Sequence, residues 1–200
     1  MRTLLHILDL PEALAPTAGR LLALVLVSSA GMALLKSAQT GIFLSAAERG
    51  AIPWAFAASA LLLALASALV VGQTTRLGPV RMAESVLGLG IAGTLVLWAL
   101  QHLPMELPAG GSVHPIPFAS YVLIEALSGL LVIQIWSVVS TASGARSARR
   151  LLPAAGVGGA VAWTLSGLLV PVLVQWIRAE DLLLLVPGFL LAALLLVARI

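Results

Sequence analysis

The chain has no cysteine and no asparagine, a single lysine and a single tyrosine, and charged residues at only 10% of its 200 positions. Without cysteine there is no disulfide framework, no thiolate chemistry and no thiolate metal site. Without asparagine there is no N-glycosylation acceptor. A soluble domain of this length needs polar residues to cover its surface. A chain that is 60% hydrophobic, with a mean hydropathy of +1.10, has too few of them. The class that remains is an integral membrane protein. An isoelectric point near 10.6 superficially suggests a nucleic-acid binder, yet the net charge is only +3. The basic residues stand singly or in small groups at the ends of apolar runs, which is a mark of membrane topology and not of a nucleic-acid stripe. Ten of the eleven basic residues are arginine, and alanine and leucine dominate. That usage is expected of GC-rich bacterial coding, and it places the chain in a bacterial inner membrane.

Residues 1–20 contain Asp9, Pro11 and Glu12 where a signal peptide would need an unbroken apolar core. Leu4, Leu5, Ile7 and Leu8 fit one face of a short helix, so this segment reads as a cytoplasmic interfacial helix, the alternative being a frayed terminus. A membrane-spanning helix needs about 20 mostly apolar residues. Six stretches qualify, at about 21–45, 51–73, 82–103, 116–141, 151–177 and 182–199, and together they make residues 21–200 an all-α, six-span transmembrane domain. The longest connection, Pro104 to Pro115, is rich in proline and glycine and reads as a loop. Arg2, Arg20, Arg76, Arg81, Arg146, Arg149, Arg150 and Arg199 fall on one side of such a bundle. Only Arg49 and Arg178 fall on the other, with Glu48, Glu106, Glu180 and Asp181. This asymmetry puts both termini in the cytoplasm.

Gly88, Gly90 and Gly93 spell G-x-G-x-x-G, but a dinucleotide site needs a preceding strand and a soluble βαβ unit. Close helix packing in lipid is the better account, here and for Ala155, Gly156, Gly158, Gly159 and Ala160. Pro171 and Pro187 are expected to bend or locally unwind the last two spans.

Two ionisable residues lie deep in the spans, Lys36 and Glu125. Lys36 is sixteen residues in from Arg20, about 24 Å along a helix, and Glu125 is ten residues in from Pro115 on the opposite side. Their depths match well enough for a pair. A lone charge at the bilayer centre costs at least ~2.5–3.5 kcal/mol, and pairing or a shared aqueous cavity relieves that cost. The alternative is a Lys36 that snorkels outward and a Glu125 held protonated in a packed core. Gln39 shares a face with Lys36, and Ser128 with Glu125, so both join the candidate path. Gln134, Thr40, Thr164 and Ser166 are softer candidates, because Ser and Thr in lipid commonly bond a carbonyl of the preceding turn. Trp54, Trp98 and Trp176 suit the interfacial belt, whereas Trp136 and Trp163 lie deeper and either pack or line a cavity.

Enzymatic readings find little. Ser166-Gly167 lacks a histidine base in any span, and no Walker loop is present. His102, Glu106 and His114 match no metal-ligand spacing and read as an exposed loop. No cofactor is expected.

The run Tyr121, Glu125, Ser128-Gly129, Gln134, Trp136, then Ala148-Arg149-Arg150-Leu151, Pro153 and Gly156-x-Gly158-Gly159, resembles the fourth and fifth spans of the ATP/ADP translocase (nucleotide transporter) family. Leu34-Leu35-Lys36-Ser37-Ala38-Gln39 with Ile42-Phe43-Leu44-Ser45 is similar to that family's first span, and Ile52-Pro53-Trp54 to the start of its second. Gly72, Arg76, Gly78 and Arg81 resemble the major facilitator loop motif G-x-x-x-D-R-x-G-x-x-R. The resemblance spans residues 21–200. It implies half of a major facilitator-type fold, with helices one and four lining a central cavity. Lys36 and Glu125 would then serve exchange of nucleotides or other anionic metabolites, and Arg76, Arg81, Arg146, Arg149 and Arg150 would form an inner gate. It also implies a second six-helix half, supplied by a homodimer partner or a longer parent chain. Two departures matter: Gln39 stands where the family has a basic residue, and Thr75 where the loop motif has aspartate. They leave room for a second reading, a transporter-like membrane module that anchors or signals to partner domains.

Overall fold

The structure, a computed structural model, describes residues 15–47, 50–102 and 115–199. Among them the chain is all-helical, with no strand. Helix α1 covers Ala15–Ala46, α2 Ala51–Leu77, α3 Pro79–His102 and α4 Pro115–Leu173; a short 3-10 turn, Asp181–Leu184, then leads into α5, Leu185–Val197. Five stretches are long and apolar enough to cross a membrane: Pro16–Ala46, Ala51–Leu77, Pro79–His102, Pro115–Ser143 and Leu151–Leu173. The first three coincide with the expected first three spans, although α1 starts at Ala15 and so takes in part of the expected interfacial segment. Residues 1–14 of that segment, Arg49, and the loop with Glu106 and His114 lie outside the described residues.

The expected break between spans four and five is absent from the backbone pattern, because α4 is helical throughout its 59 residues. A straight helix would hold Val132 and Trp163 about 46 Å apart. Both border the same cavity, so the chain folds back between them and α4 has two arms. The basic segment that joins the arms is built of Ala, Ser and Arg with one glycine, and Pro153 falls only after it. That composition supports helical geometry up to the bend. The expected sixth span is short. From Asp181 to Val197 it has seventeen residues, about 25 Å of α-helix against a ~30 Å hydrocarbon core. Pro187 accounts for the 3-10 start, since it removes the donor that would bond the Leu183 carbonyl. Pro171 lies within α4, two residues before its end.

The core forms around α1. Leu21, Leu24, Leu35 and Ala38 of α1 and Ile124, Leu131, Ile135 and Val138 of α4 share one core, which Val86 and Leu87 of α3 join through the contacts of α3 with α4 and α5. On α5, Val186, Leu190, Ala193 and Val197 are fully buried on the same core. In lipid such contacts depend on close approach more than on exclusion of water. A Cβ on Gly31 would stand 2.8 Å from Cβ of Phe189, which brings α1 and α5 together. One on Gly129 would stand 2.7 Å from a methyl of Leu63, which does the same for α4 and α2. Within G-x-G-x-x-G the tight position is Gly90, where a Cβ would meet Leu190 at 3.1 Å; Gly88 has nothing within 4 Å. Gly159 faces Ser29 Oγ at 3.3 Å, while Gly156 and Gly158 have no such neighbour. Gly78 closes the α2–α3 turn at φ +82° and ψ +160°, a region open essentially to glycine alone.

The two ends of the bundle differ in charge. At one end Arg20 donates to the carbonyl of Arg199 (2.9 Å), a cation on a helix C-terminus. At the other, Asp181 accepts from Trp98 Nε1 (3.2 Å) and lies 3.4 Å from His102 Nε2, with the Arg178–Glu180 pair (3.3 Å) close by in sequence.

Candidate functional site

Lys36 on α1 is ten residues from Ala46, and Glu125 on α4 is ten residues from Pro115, so each lies about 15 Å from the same end of the bundle. Nζ of Lys36 donates to Oε1 of Glu125 at 2.6 Å. The pair is neither sealed nor free, with side chains 32% and 25% exposed. An ammonium has three donors and a carboxylate about four acceptor sites. The mutual bond uses one of each, and the pair makes no other side-chain hydrogen bond among the described residues. Its remaining capacity is turned to a cavity.

That cavity, about 270 Å³, is bordered by Met32 and Lys36 of α1 and by Phe56, Ser59, Ala60 and Leu63 of α2. From the first arm of α4 come Glu125, Ser128, Gly129 and Val132, and from the second arm Trp163. Both serine hydroxyls bond their own helices, Ser59 to the Ala55 carbonyl (2.7 Å) and Ser128 to the Glu125 carbonyl (2.9 Å). They keep acceptor lone pairs for the cavity but leave the ion pair alone. A second cavity of about 210 Å³ shares Met32, Val132 and Trp163 with the first. It continues toward Val25, Ser28 and Trp136, that is, toward the end of the bundle where Arg20 meets Arg199.

Toward the opposite end of the bundle aromatic rings cluster beside the pair. Phe43 stacks on Tyr121 at 4.5 Å between centroids, Phe118 meets Phe43 edge-on at 6.3 Å, and Phe56 meets Tyr121 edge-on at 6.0 Å. Tyr121 is one turn, and Phe43 two turns, from the paired charges in the direction of Pro115 and Ala46. The charged pair therefore lies between an aromatic cluster on one side and a continuing cavity on the other.

The expected site residues separate into three groups. Lys36, Glu125 and Ser128 lie together on the cavity. Gln39 does not line it: the side chain is 1% exposed and its Nε2 donates to Ser120 Oγ at 2.8 Å, pinning α1 to the start of α4. Three residues beyond Lys36 a helix has turned by about 60° from the same face, and here that rotation carries the amide into the α1–α4 seam. Arg76, Arg81 and Arg149 are exposed and make no ion pair with another described residue, so no gate network forms among them. The side chains of Arg146 and Arg150 lie outside the described residues. Gln134 is buried with its Oε1 unpartnered, and Thr164 bonds the Ala160 carbonyl of its own helix. Trp136 and Trp163 both line the second cavity. Phe56, Ser59, Ser28 and Ser29 were not singled out from the sequence; Ser59, a hydroxyl in a very apolar second span, was the available signal.

No family model matches this chain, and no curated protein or solved structure matches it either.

Proposed function

We propose that this chain is a six-span half of a major facilitator-type secondary transporter, which moves nucleotides or other small anionic metabolites across a bacterial inner membrane by alternating access. The carrying observation is the Lys36–Glu125 pair, held at mid-depth on two different helices and turned to a cavity with an aromatic cluster on one side. A charge pair with unused hydrogen-bonding capacity is poorly suited to face lipid, so this side of the bundle faces water or protein. A second six-helix half, from a homodimer partner or a longer parent chain, would complete the enclosure. With Arg20, Arg149 and Arg199 at the cytoplasmic surface, the cavity is in its inward-facing state and the aromatic cluster is the closed outer gate. Lys36 is the group that meets the anion, and Glu125 is its resting partner.

One observation favours the second reading, a transporter-like module that anchors or signals to partner domains. Gln39 is consumed in helix packing, which leaves Lys36 as the one cation bordering the two cavities among the described residues. Uptake of labelled ATP, ADP and inorganic phosphate into vesicles carrying the full-length protein separates the two. Saturable uptake, lost when Lys36→Met and Glu125→Gln are combined, is expected for a transporter. Folded protein without saturable uptake of any of the three would remove the anion-transport reading.

A further inference from the structure

The seam beside the charge pair carries an inference that goes beyond the transport reading and does not depend on it. Gln39 stands three residues from Lys36, and Ser120 five residues from Glu125, both toward the end of the bundle where the aromatic rings cluster. Gln39 and Ser120 are each 1% exposed. Nε2 of Gln39 donates to Ser120 Oγ at 2.8 Å and faces the Pro117 carbonyl at 3.5 Å, while Ser120 Oγ donates to that carbonyl at 3.1 Å. The amide thus meets both a side chain and the backbone of the first turns of α4. Its Oε1 is buried without a partner among the described residues, a cost that a leucine of similar size would not carry. Filling space therefore does not account for glutamine at this position; the directional bond to α4 does.

The ion pair gains from such a bond. Lysine and glutamate side chains have several rotatable bonds each, and both members of the pair are partly exposed, so the pair alone constrains its two helices loosely. The apolar contacts around it are not directional. Gln39 lies about 4.5 Å along α1 from Lys36 and about 60° around it. A bond at that place opposes both motions that would part the pair. A rotation of α1 that turned Lys36 off the cavity would swing Gln39 out of the seam, and a slide along α4 would pull it from Ser120 and Pro117. We propose that Gln39 is a positioning residue, whose bond to Ser120 sets the rotation and register of α1 on α4 and so keeps Lys36 within reach of Glu125. The bonded atoms are buried between α1 and α4 of this chain, so the assignment is independent of what covers the cavity.

Lys36 is the only lysine in these 200 residues, and its chemical reactivity reports the pair. The full-length protein in detergent is treated with a water-soluble acetylating ester, and acetylation of the peptide that contains Lys36 is followed by mass spectrometry. The bond to Glu125 withholds the amine, so Glu125→Gln is expected to raise the rate and marks the value for a broken pair. Gln39→Leu, which keeps the volume and removes the bond, is expected to raise it about fivefold, the change in an equilibrium that loss of one ordinary hydrogen bond produces. Leu190→Ala, in the fully buried core of α5, is the control for general loosening: thermal stability falls and the Lys36 rate stays at the natural value. Acetylation of Gln39→Leu at the natural rate overturns the proposal. Ser120→Ala, which removes only the acceptor, decides in the same way if Gln39→Leu fails to fold. A rate raised as far by Leu190→Ala also overturns it, and so does an unchanged rate in Glu125→Gln, since no pair would then exist to be positioned. Anion uptake enters none of these measurements, so failure of the transport reading and failure of this one are told apart.

Discussion

At the residue scale, the ion pair is a joint property of Lys36 and Glu125. Neutralising one leaves the other charged in a poorly solvated cavity, while neutralising both leaves a polar but uncharged one. A double-mutant cycle of Lys36→Met and Glu125→Gln, followed by thermal unfolding in detergent, is therefore expected to be non-additive. The double variant should lose about 0.5–3 kcal/mol less than the sum of the two singles. Additive losses would mean that the two side chains do not interact in the folded protein. The pairing was legible in the sequence because depth is a linear count, at 1.5 Å per residue: sixteen residues in from Arg20 and ten in from Pro115 put the two charges at depths close enough to meet. The fate of Gln39 was not legible. Whether a residue three positions along faces a cavity or a seam depends on where the neighbouring helix lies, and Ser120 is contributed by another part of the chain.

At the element scale, the glycines distinguish rigid contacts from forgiving ones. Gly31 abuts Cβ of Phe189, an atom fixed by the backbone of α5, whereas Gly129 abuts the far end of the flexible Leu63 side chain. Gly31→Ala is expected to destabilise the bundle by about 1–3 kcal/mol through overpacking. Gly129→Ala should cost less, because Leu63 can change rotamer. Melting curves of the two variants in the same detergent check the order, and equal losses would mean that α1 and α5 are not held at this distance. Small residues announced close packing in general, but only the neighbouring helices select Gly90 over Gly88, and Gly159 over Gly156. The same limit explains α4. The sequence reading places a turn here; a run of Ala, Ser and Arg supports helix as readily, so the chain reverses without a break in the helical pattern.

At the scale of the whole molecule, the orientation in the membrane is open to a direct check. Because these 200 residues contain no cysteine, a thiol introduced here is the sole label site within them. Arg149→Cys is expected to react with an impermeant maleimide only from the cytoplasmic side, and Arg178→Cys only from the outside; both positions are exposed. Reversed labelling would invert the topology and turn the cavity toward the exterior. The helices that carry the least burial, α2 and the second arm of α4, present apolar side chains such as Leu61, Leu65, Leu165 and Leu168. The same two stretches border the cavity through Phe56, Ser59, Ala60, Leu63 and Trp163, so under the half-transporter proposal a second half would close over them.

By itself the amino-acid sequence determined the all-helical class, the approximate places of five long apolar stretches and the presence of two costly charges deep in the first and fourth of them. Each of these follows from local composition or from counting along one helix. Tertiary structure alone decided that the turn between spans four and five keeps a helical backbone, that Gln39 is tucked into a seam, and that four rings from three helices cluster beside the ion pair. Those features depend on rotation and neighbour choice among helices whose apolar surfaces are nearly interchangeable, and hydropathy along the chain carries little record of which faces meet.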